Sequence, residues 1–285
     1  MNKYQPDINL TDQVAIVTGG GAGIGRAIAL SLASVGANIV IADRIPERGA
    51  EVVQRVTEMG REALALTTDM SDSSQVENMV AAAMAHFGRI DMLVNNVGGV
   101  RPKPFAEQSE SSWRRLIDLN FVSMLAATSA VIPHLIAGGR GGSILNISSI
   151  EASRAAPQFA VYAACKAAML NFTRTMALEL ADHHIRVNAI APDYTVTPGL
   201  RGNISGPVDP AIWIQPSELD EQATAKRIPL GRSGLDSECG QAAVYLCSGM
   251  SSYVTGTVLP VDGGTWASAG WLRNNDGKWT LNGGR

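Results

Sequence analysis

Tyr162 and Lys166 stand four residues apart in a stretch with helical patterning, so their side chains share a face and can meet. A phenol with an ordinary pKa of about 10 is a poor base at neutral pH. A neighbouring ammonium, aided by a positively charged cofactor, would stabilise the phenolate and let Tyr162 give and take a proton. Ser149 lies upstream at the end of an apolar run, where its hydroxyl could hydrogen-bond the oxygen whose proton moves. A YxxxK spacing alone is common, because a packed helix residue beside a solvated lysine gives the same pattern. Its meaning depends on what precedes it.

The first apolar run, Val14–Thr18, passes directly into Thr18-Gly19-Gly20-Gly21-Ala22-Gly23-Ile24-Gly25, and a helical pattern follows. Glycines let the backbone turn tightly and approach a pyrophosphate, whose charge then sits at the positive end of that helix. The spacing is TGxxxGxG rather than GxGxxG. Asp43 ends the second apolar run, where an acidic residue meets the adenosine ribose of a dinucleotide. Its carboxylate would accept from the ribose hydroxyls and repel a 2′-phosphate, which points to NAD over NADP. Arg44 beside it could hold a 2′-phosphate or stack on adenine. Asp69, past the third run, reads either as a partner for the adenine amino group or as the N-cap of a helix starting near Ser73.

Elements that could position these groups alternate along the chain. Val14–Thr18, Asn38–Asp43, Ala63–Thr67, Met92–Asn95, Ser143–Ser148 and Arg186–Ile190 read as strands, most of them apolar on both faces. Helical patterns fall near 24–35, 46–59, 73–87, 111–137 and 157–181. This alternation predicts an α/β fold: a Rossmann-type, doubly wound parallel sheet in one domain, with its core over 10–264. Residues 193–230 break the rhythm with repeated prolines and read as an irregular lid or substrate loop. A C-terminal extension, 265–285, carries Trp266, Trp271 and Trp279.

Composition narrows the classes. The 285 residues are 46% hydrophobic and 17% charged, as in an ordinary globular enzyme, and a formal charge of -3 offers no attraction for nucleic acid. Cys165, Cys239 and Cys247 show no CxxC spacing, which suits a reducing compartment. The N-terminus lacks an apolar signal core, and Phe121 to Ala137 is interrupted and short for a membrane span. The expected location is the cytoplasm, with no membrane partner. His86, His134, His183 and His184 do not form a ligand set, so no metal is expected, and no GxSxG elbow points to a hydrolase.

Taken together, Thr18-Gly-x-x-x-Gly-Ile-Gly25, Asn95-Asn96-Val97-Gly98, Asn120, Ser149, Tyr162-x-x-x-Lys166 and Pro192…Thr197 resemble the short-chain dehydrogenase/reductase family over roughly residues 10–264. The resemblance implies a seven-stranded parallel sheet and an NAD(P)-dependent exchange between a secondary alcohol and a ketone. It implies Tyr162 as general acid/base and Ser149 as orienter of the substrate oxygen. Lys166 would lower the tyrosine pKa and bind the nicotinamide ribose, and Asn120 would hold a water relaying protons from Lys166. It extends the cofactor contacts (Thr18, Gly19, Gly23, Ile24, Gly25, Asp43, Arg44, Asp69) to Met70, Asn96, Gly98, Pro192, Thr195 and Thr197, with Asn95 to Gly98 lining the cleft. Two positions depart from the pattern: Val97 replaces the usual Ala, and Asp193 follows Pro192 where Gly is usual.

Substrate choice is expected from 193–230, Val100–Phe105 and Glu151–Phe159. Leu200, Ile204, Ile212, Trp213 and Ile214 could wall an apolar pocket or simply pin the lid. Asn96 to Phe105 resembles the matching loop of bacterial hydroxysteroid dehydrogenases, which implies a bulky cyclic alcohol. A 3-oxoacyl thioester is the rival substrate, a dinucleotide sensor or scaffold the non-enzyme alternative, and an epimerase or dehydratase a third. Glu151 and Arg154 read as solvated loop charges. The helix near 157–181 is apolar nearly all round, with Val161, Ala164, Ala168, Met169, Phe172, Met176 and Leu180, which with the resemblance implies a homodimer or homotetramer. The Trp-rich tail reads either as folding over an active site, its own or a neighbour's, or as packing on the surface.

Overall fold

Strands with no polar face must be covered on both sides, and the computed structural model, which describes residues 5–281, shows how. In chain order the elements are β1 (Val14–Thr18), α1 (Gly23–Ser34), β2 (Asn38–Asp43), α2 (Pro46–Glu58), β3 (Ala63–Thr67), α3 (Ser73–Phe87) and β4 (Met92–Asn95). Then come α4 (Glu110–Ile117), α5 (Ser123–Gly138), β5 (Gly142–Ile147), α6 (Ala160–Glu179), β6 (Ile185–Pro192) and β7 (Thr195–Val196). The chain continues with α7 (Glu218–Arg227), β8 (Gly234–Leu235), α8 (Asp236–Cys247), β9 (Val258–Val261), α9 (Thr265–Ser268), β10 (Leu272–Arg273) and β11 (Trp279–Thr280).

Seven parallel strands form one sheet in the order β3-β2-β1-β4-β5-β6-β9. One apolar layer joins Ile28 and Leu32 of α1, Val52 of α2 and Leu246 of α8 to one face of the sheet. The other joins Val76 and Val80 of α3, Val131 of α5 and Ala177 of α6 to the opposite face. Strand order reverses between β1 and β4, so the loops leaving their carboxyl ends part and leave a crevice. The glycine-rich turn and Asn96–Gly98 are those two loops.

Two expectations are corrected. The irregular lid contains a regular helix, α7, closed by a capping box in which Ser217 and Asp220 exchange bonds. The described part of the tail packs beside the lid: β10 and β11 pair as a hairpin that docks on α7, with Lys226 Nζ donating to Asn275 Oδ1 at 2.7 Å and Arg273 stacked 4.4 Å from the Trp279 ring. The tail and Pro229 enclose an apolar pocket of about 320 Å³ with Trp271 and Trp279 in its wall. The apolar stretch at 121–137 is not short, since α4, a π-helical turn at Asp118–Val122 and α5 form one continuous helix from Glu110 to Gly138. By length and composition it could cross a membrane; its apolar character is explained by Met124, Ala127, Val131 and Leu135, which are buried in the fold. His183 ends a short 3-10 helix, Ala181–His183, and His184 closes it at φ 55°.

Candidate active site

The glycine-rich turn is held open for a ligand by sterics and by unused donors. The N-cap of α1 is Ala22, which offers no side-chain acceptor, and no acidic residue stands in the first turn. The first-turn N–H groups therefore remain free for an anion. Asn96 Nδ2 donates to the carbonyls of Thr18 and Gly19 at 2.9 and 3.1 Å, tying the loop after β4 to the turn. Thr18 is buried; its hydroxyl donates to Val94 O and accepts from the N–H groups of Asn96 and Val97. A Cβ on Gly25 would collide with Gly19 O and Asn96 Nδ2, so only glycine fits there. Val97 lies against Gly19, its Cγ2 3.1 Å from where a Cβ would be, and narrows the cleft at that point.

Asp43 closes the other side. Its carboxylate accepts from Gly21 N at 2.9 Å and Ile45 N at 3.0 Å, which fixes it at the tip of β2. Arg44 is exposed beside it. Asp69 accepts from the amide and hydroxyl of Ser71. Those bonds, the hydroxyl's first, hold its carboxyl below the usual range. It is not the N-cap of α3; Asp72 is, through Ser74 N at 2.9 Å.

Other expected cleft residues divide. Gly98 abuts Asn120 and Lys166, for a Cβ on it would lie 2.8 Å from Asn120 Oδ1 and 3.2 Å from Lys166 Nζ. Thr197 packs against Gly23 at the α1 end, and Pro192 is buried at the end of β6. Ile24 packs partly into the core. Asn95 does not line the cleft; it is buried and donates to Thr128 Oγ1 and Asn146 Oδ1. Met70 places its side chain in the core, and the Thr195 hydroxyl turns to Asp193 O and the Cys239 thiol. Only backbone groups of those two remain for a ligand.

Tyr162 and Lys166 share one face of α6, with Nζ 5.7 Å from the phenol ring centroid. Ser149 extends past β5, and its hydroxyl shares a hydrogen bond with Tyr162. Ser148 turns the other way and donates to Lys166 O at 3.1 Å. Burial pushes the Tyr162 phenol above its ordinary value; the Ser149 bond opposes this and the Glu151 charge adds to it. Without the cofactor's charge the balance of these influences is upward. Lys166 is buried, donates to Ile147 O at 2.7 Å, and desolvation pushes its ammonium down to about 8. Asn120 sits in the π-helical turn, where Nδ2 takes Leu116 O and Gly99 O and Oδ1 accepts from Gly99 N. A one-residue helical insertion of this kind re-aims a side chain, here into the floor beneath Lys166.

Sequence reasoning missed a line of charges above the catalytic turn. Arg154 grips Glu151 bidentately at 2.7 and 3.1 Å and lies 3.7 Å from Asp193, which accepts from Arg227 of α7 at 3.0 Å. Glu151 and Arg154 are thus paired rather than solvated, and Asp193 binds the lid helix to the turn that carries Ser149. The unusual carboxylate after Pro192 was the available signal.

The buried ammonium has a measurable consequence. An unfolded lysine titrates near 10.5 and Lys166 at about 8, so between those values the unfolded chain binds more protons. Lys166 should therefore contribute stability that rises with pH across that window, on the order of 1 kcal/mol per unit, whereas the buried Cys239 and Cys247 thiols, pushed up to about 12 and about 11, contribute the opposite slope above about pH 9. Urea denaturation of the wild type and Lys166→Met from pH 7 to 10 checks this: the wild type should show the more positive slope, and equal slopes would contradict it.

Comparison with known proteins agrees with this architecture. A family model described as enoyl-(acyl carrier protein) reductase matches residues 19–265. The chain is 38% identical over 259 residues to 2-dehydro-3-deoxy-D-gluconate 5-dehydrogenase of Escherichia coli, covering 90% of this chain and 96% of that one. It is 34% identical over 258 residues to the 7alpha-hydroxysteroid dehydrogenase of Escherichia coli, with the same coverage. A solved 7alpha-hydroxysteroid dehydrogenase, complexed with NADH and 7-oxo glycochenodeoxycholic acid, superposes with a TM-score of 0.81 at 34% identity, covering 90% of this chain and 96% of that one. The chain belongs to the short-chain dehydrogenase/reductase family of oxidoreductases.

Proposed function

We propose that the protein interconverts a secondary alcohol and a ketone by hydride transfer with NAD, using Tyr162 as general acid/base. The observation that carries this is the convergence of the Ser149 and Tyr162 hydroxyls, with Lys166 and Asn120 beneath them, at the end of the β1/β4 crevice. When bound, NAD would supply the hydride acceptor or donor and, in its oxidised form, a positive charge that favours the phenolate. Thr18 to Gly25, Asn96, Gly98, Asp43, Arg44 and Thr197 would hold it, with Pro192 shaping the wall. Ser149 orients the substrate oxygen, Tyr162 moves its proton, and Lys166 with Asn120 connects that proton to water.

Exposed Leu200, Ile204, Ile212 and Ile214 on the lid support a bulky, largely apolar or cyclic substrate. The relative bound to an oxidised bile acid supports the same reading. The paired charges from Glu151 to Arg227 would meet polar substituents at the rim. The test is NAD reduction with a panel of steroid alcohols, cyclic terpenoid alcohols, 3-hydroxyacyl thioesters and sugar acids. Turnover confined to the cyclic alcohols supports this substrate class, and turnover confined to the thioesters or sugar acids overturns it.

The acidic tip of β2 supports NAD over NADP. Asp43→Asn should raise the KM for NAD about tenfold or more, by weakening bonds to the ribose hydroxyls, and narrow the preference over NADP. Initial rates with the two cofactors check this. A subunit pairing through α6 is proposed from the row Ala160, Ala164, Ala167, Asn171 and Leu178, which the single chain leaves exposed; elution as a monomer would contradict it.

A further inference from the structure

Arg48 is a cation in the first turn of α2, where the helix dipole opposes it, yet it is only 8% exposed. Its charge is attracted by Asp43 at the tip of β2, but its hydrogen bonds go elsewhere. Nε donates to Gly206 O at 2.7 Å and Nη2 to Asn203 O at 2.9 Å, both across the cleft in the lid. The receiving loop is built to present those carbonyls. Asn203, 1% exposed, donates to the carbonyls of Ser205 and Pro207 and accepts from Asp209 N, knotting the chain around Gly206, which takes φ +67°.

The same segment is anchored at its other end. Thr197 and Pro198 pack on Gly23 at the start of α1, whereas the Arg48 stem packs on Gly21 beside the Asp43 carboxylate. Residues 197–209 therefore bridge the two ends of the glycine-rich turn, from the side where Thr197 stands to the side where Asp43 stands. A dinucleotide seated on that turn would lie beneath this bridge.

We propose that Arg48 latches the 197–209 segment as a strap over the dinucleotide cleft, so that cofactor enters and leaves only when the two guanidinium–carbonyl bonds open. The proposal rests on the cofactor reading above. Arg48 is a positioning residue here, because its bonds go to the strap. Both latch bonds join groups of the chain and neither involves the cofactor, so the latch slows uptake and release alike and leaves the equilibrium affinity nearly unchanged. Damage to the binding surface would act differently, speeding release alone and weakening affinity.

The test is stopped-flow fluorescence of NADH binding, with release measured by chase with excess NAD, in the wild type, Arg48→Met and Asn203→Ala. Both rate constants should rise about tenfold or more in each variant, since each loses charge-assisted bonds or the loop that presents them. The dissociation constant should stay within about threefold, under 1 kcal/mol. Asn203→Ala alters only the strap, so it decides the matter if Arg48→Met does not fold. Unchanged rates in a folded variant, or faster release with a matching loss of affinity, would overturn the strap. A wild type that holds neither NADH nor NADPH would overturn the cofactor reading itself, and the strap with it.

Discussion

Tyr162→Phe should lower kcat about 10²–10⁴-fold, the usual contribution of a positioned general acid or base. The ring is retained, so its packing near Lys166 Nζ should survive and only the hydroxyl and its bond to Ser149 are lost. One lost hydrogen bond of a half-buried group costs about 1 kcal/mol, which leaves the variant folded. NADH affinity should change little, because the glycine-rich turn and Asp43 do not depend on that hydroxyl. Steady-state kinetics beside an NADH titration separate the two effects. A variant that keeps wild-type kcat would remove Tyr162 from the reaction.

Ser149→Ala should lower kcat about 10²–10³-fold, as expected when one preorganised donor to a reacting oxygen is deleted. It should also move the pH profile. The Ser149 bond lowers the Tyr162 pKa against burial and Glu151, so without it the phenol titrates higher. The limb of alcohol oxidation that needs the phenolate should shift to higher pH. Ser149 Oγ also accepts from Glu151 N at 3.2 Å, capping the short turn Ile150–Ala152, so a modest loss of stability, about 1 kcal/mol, should accompany it. Ser149→Thr retains a hydroxyl and should recover part of the rate and the original limb. Loss of rate without any movement of the limb would mean that Ser149 acts only through the turn.

Much of this arrangement is legible in the sequence because its physics is local. Six strands of the central sheet announce themselves as apolar runs, and Tyr162 and Lys166 must meet because helical spacing brings them together. The glycines of the turn are legible because no other residue tolerates the approach of Asn96 and Gly19 O to Gly25. What escaped depends on packing. β9 is a short edge strand carrying Pro260, and α8 contains Gly240, whose lack of a side chain reads as a break but lets α8 press on Ala27 and Ser31 of α1. α7 has no apolar stripe; its Ser217–Asp220 capping box, acidic start and basic end were the only cues. Cofactor contacts from Met70 and Thr195 were expected from position, whereas the core and Cys239 take those side chains. Arg48, Asp193 and Arg227 act across long sequence separations, which no spacing rule reveals.

The measurement that bears most directly on the central claim is absorbance at the reduced-nicotinamide band, recorded for the wild type and Tyr162→Phe with NAD and an alcohol from the panel, with NADH binding measured alongside. The account predicts NAD reduction by the wild type, loss of nearly all of it in the variant, and similar NADH binding by both. Reduction at equal rates by both proteins, or none by either while both bind NADH, would contradict it, the latter outcome marking a dinucleotide-binding protein without this chemistry.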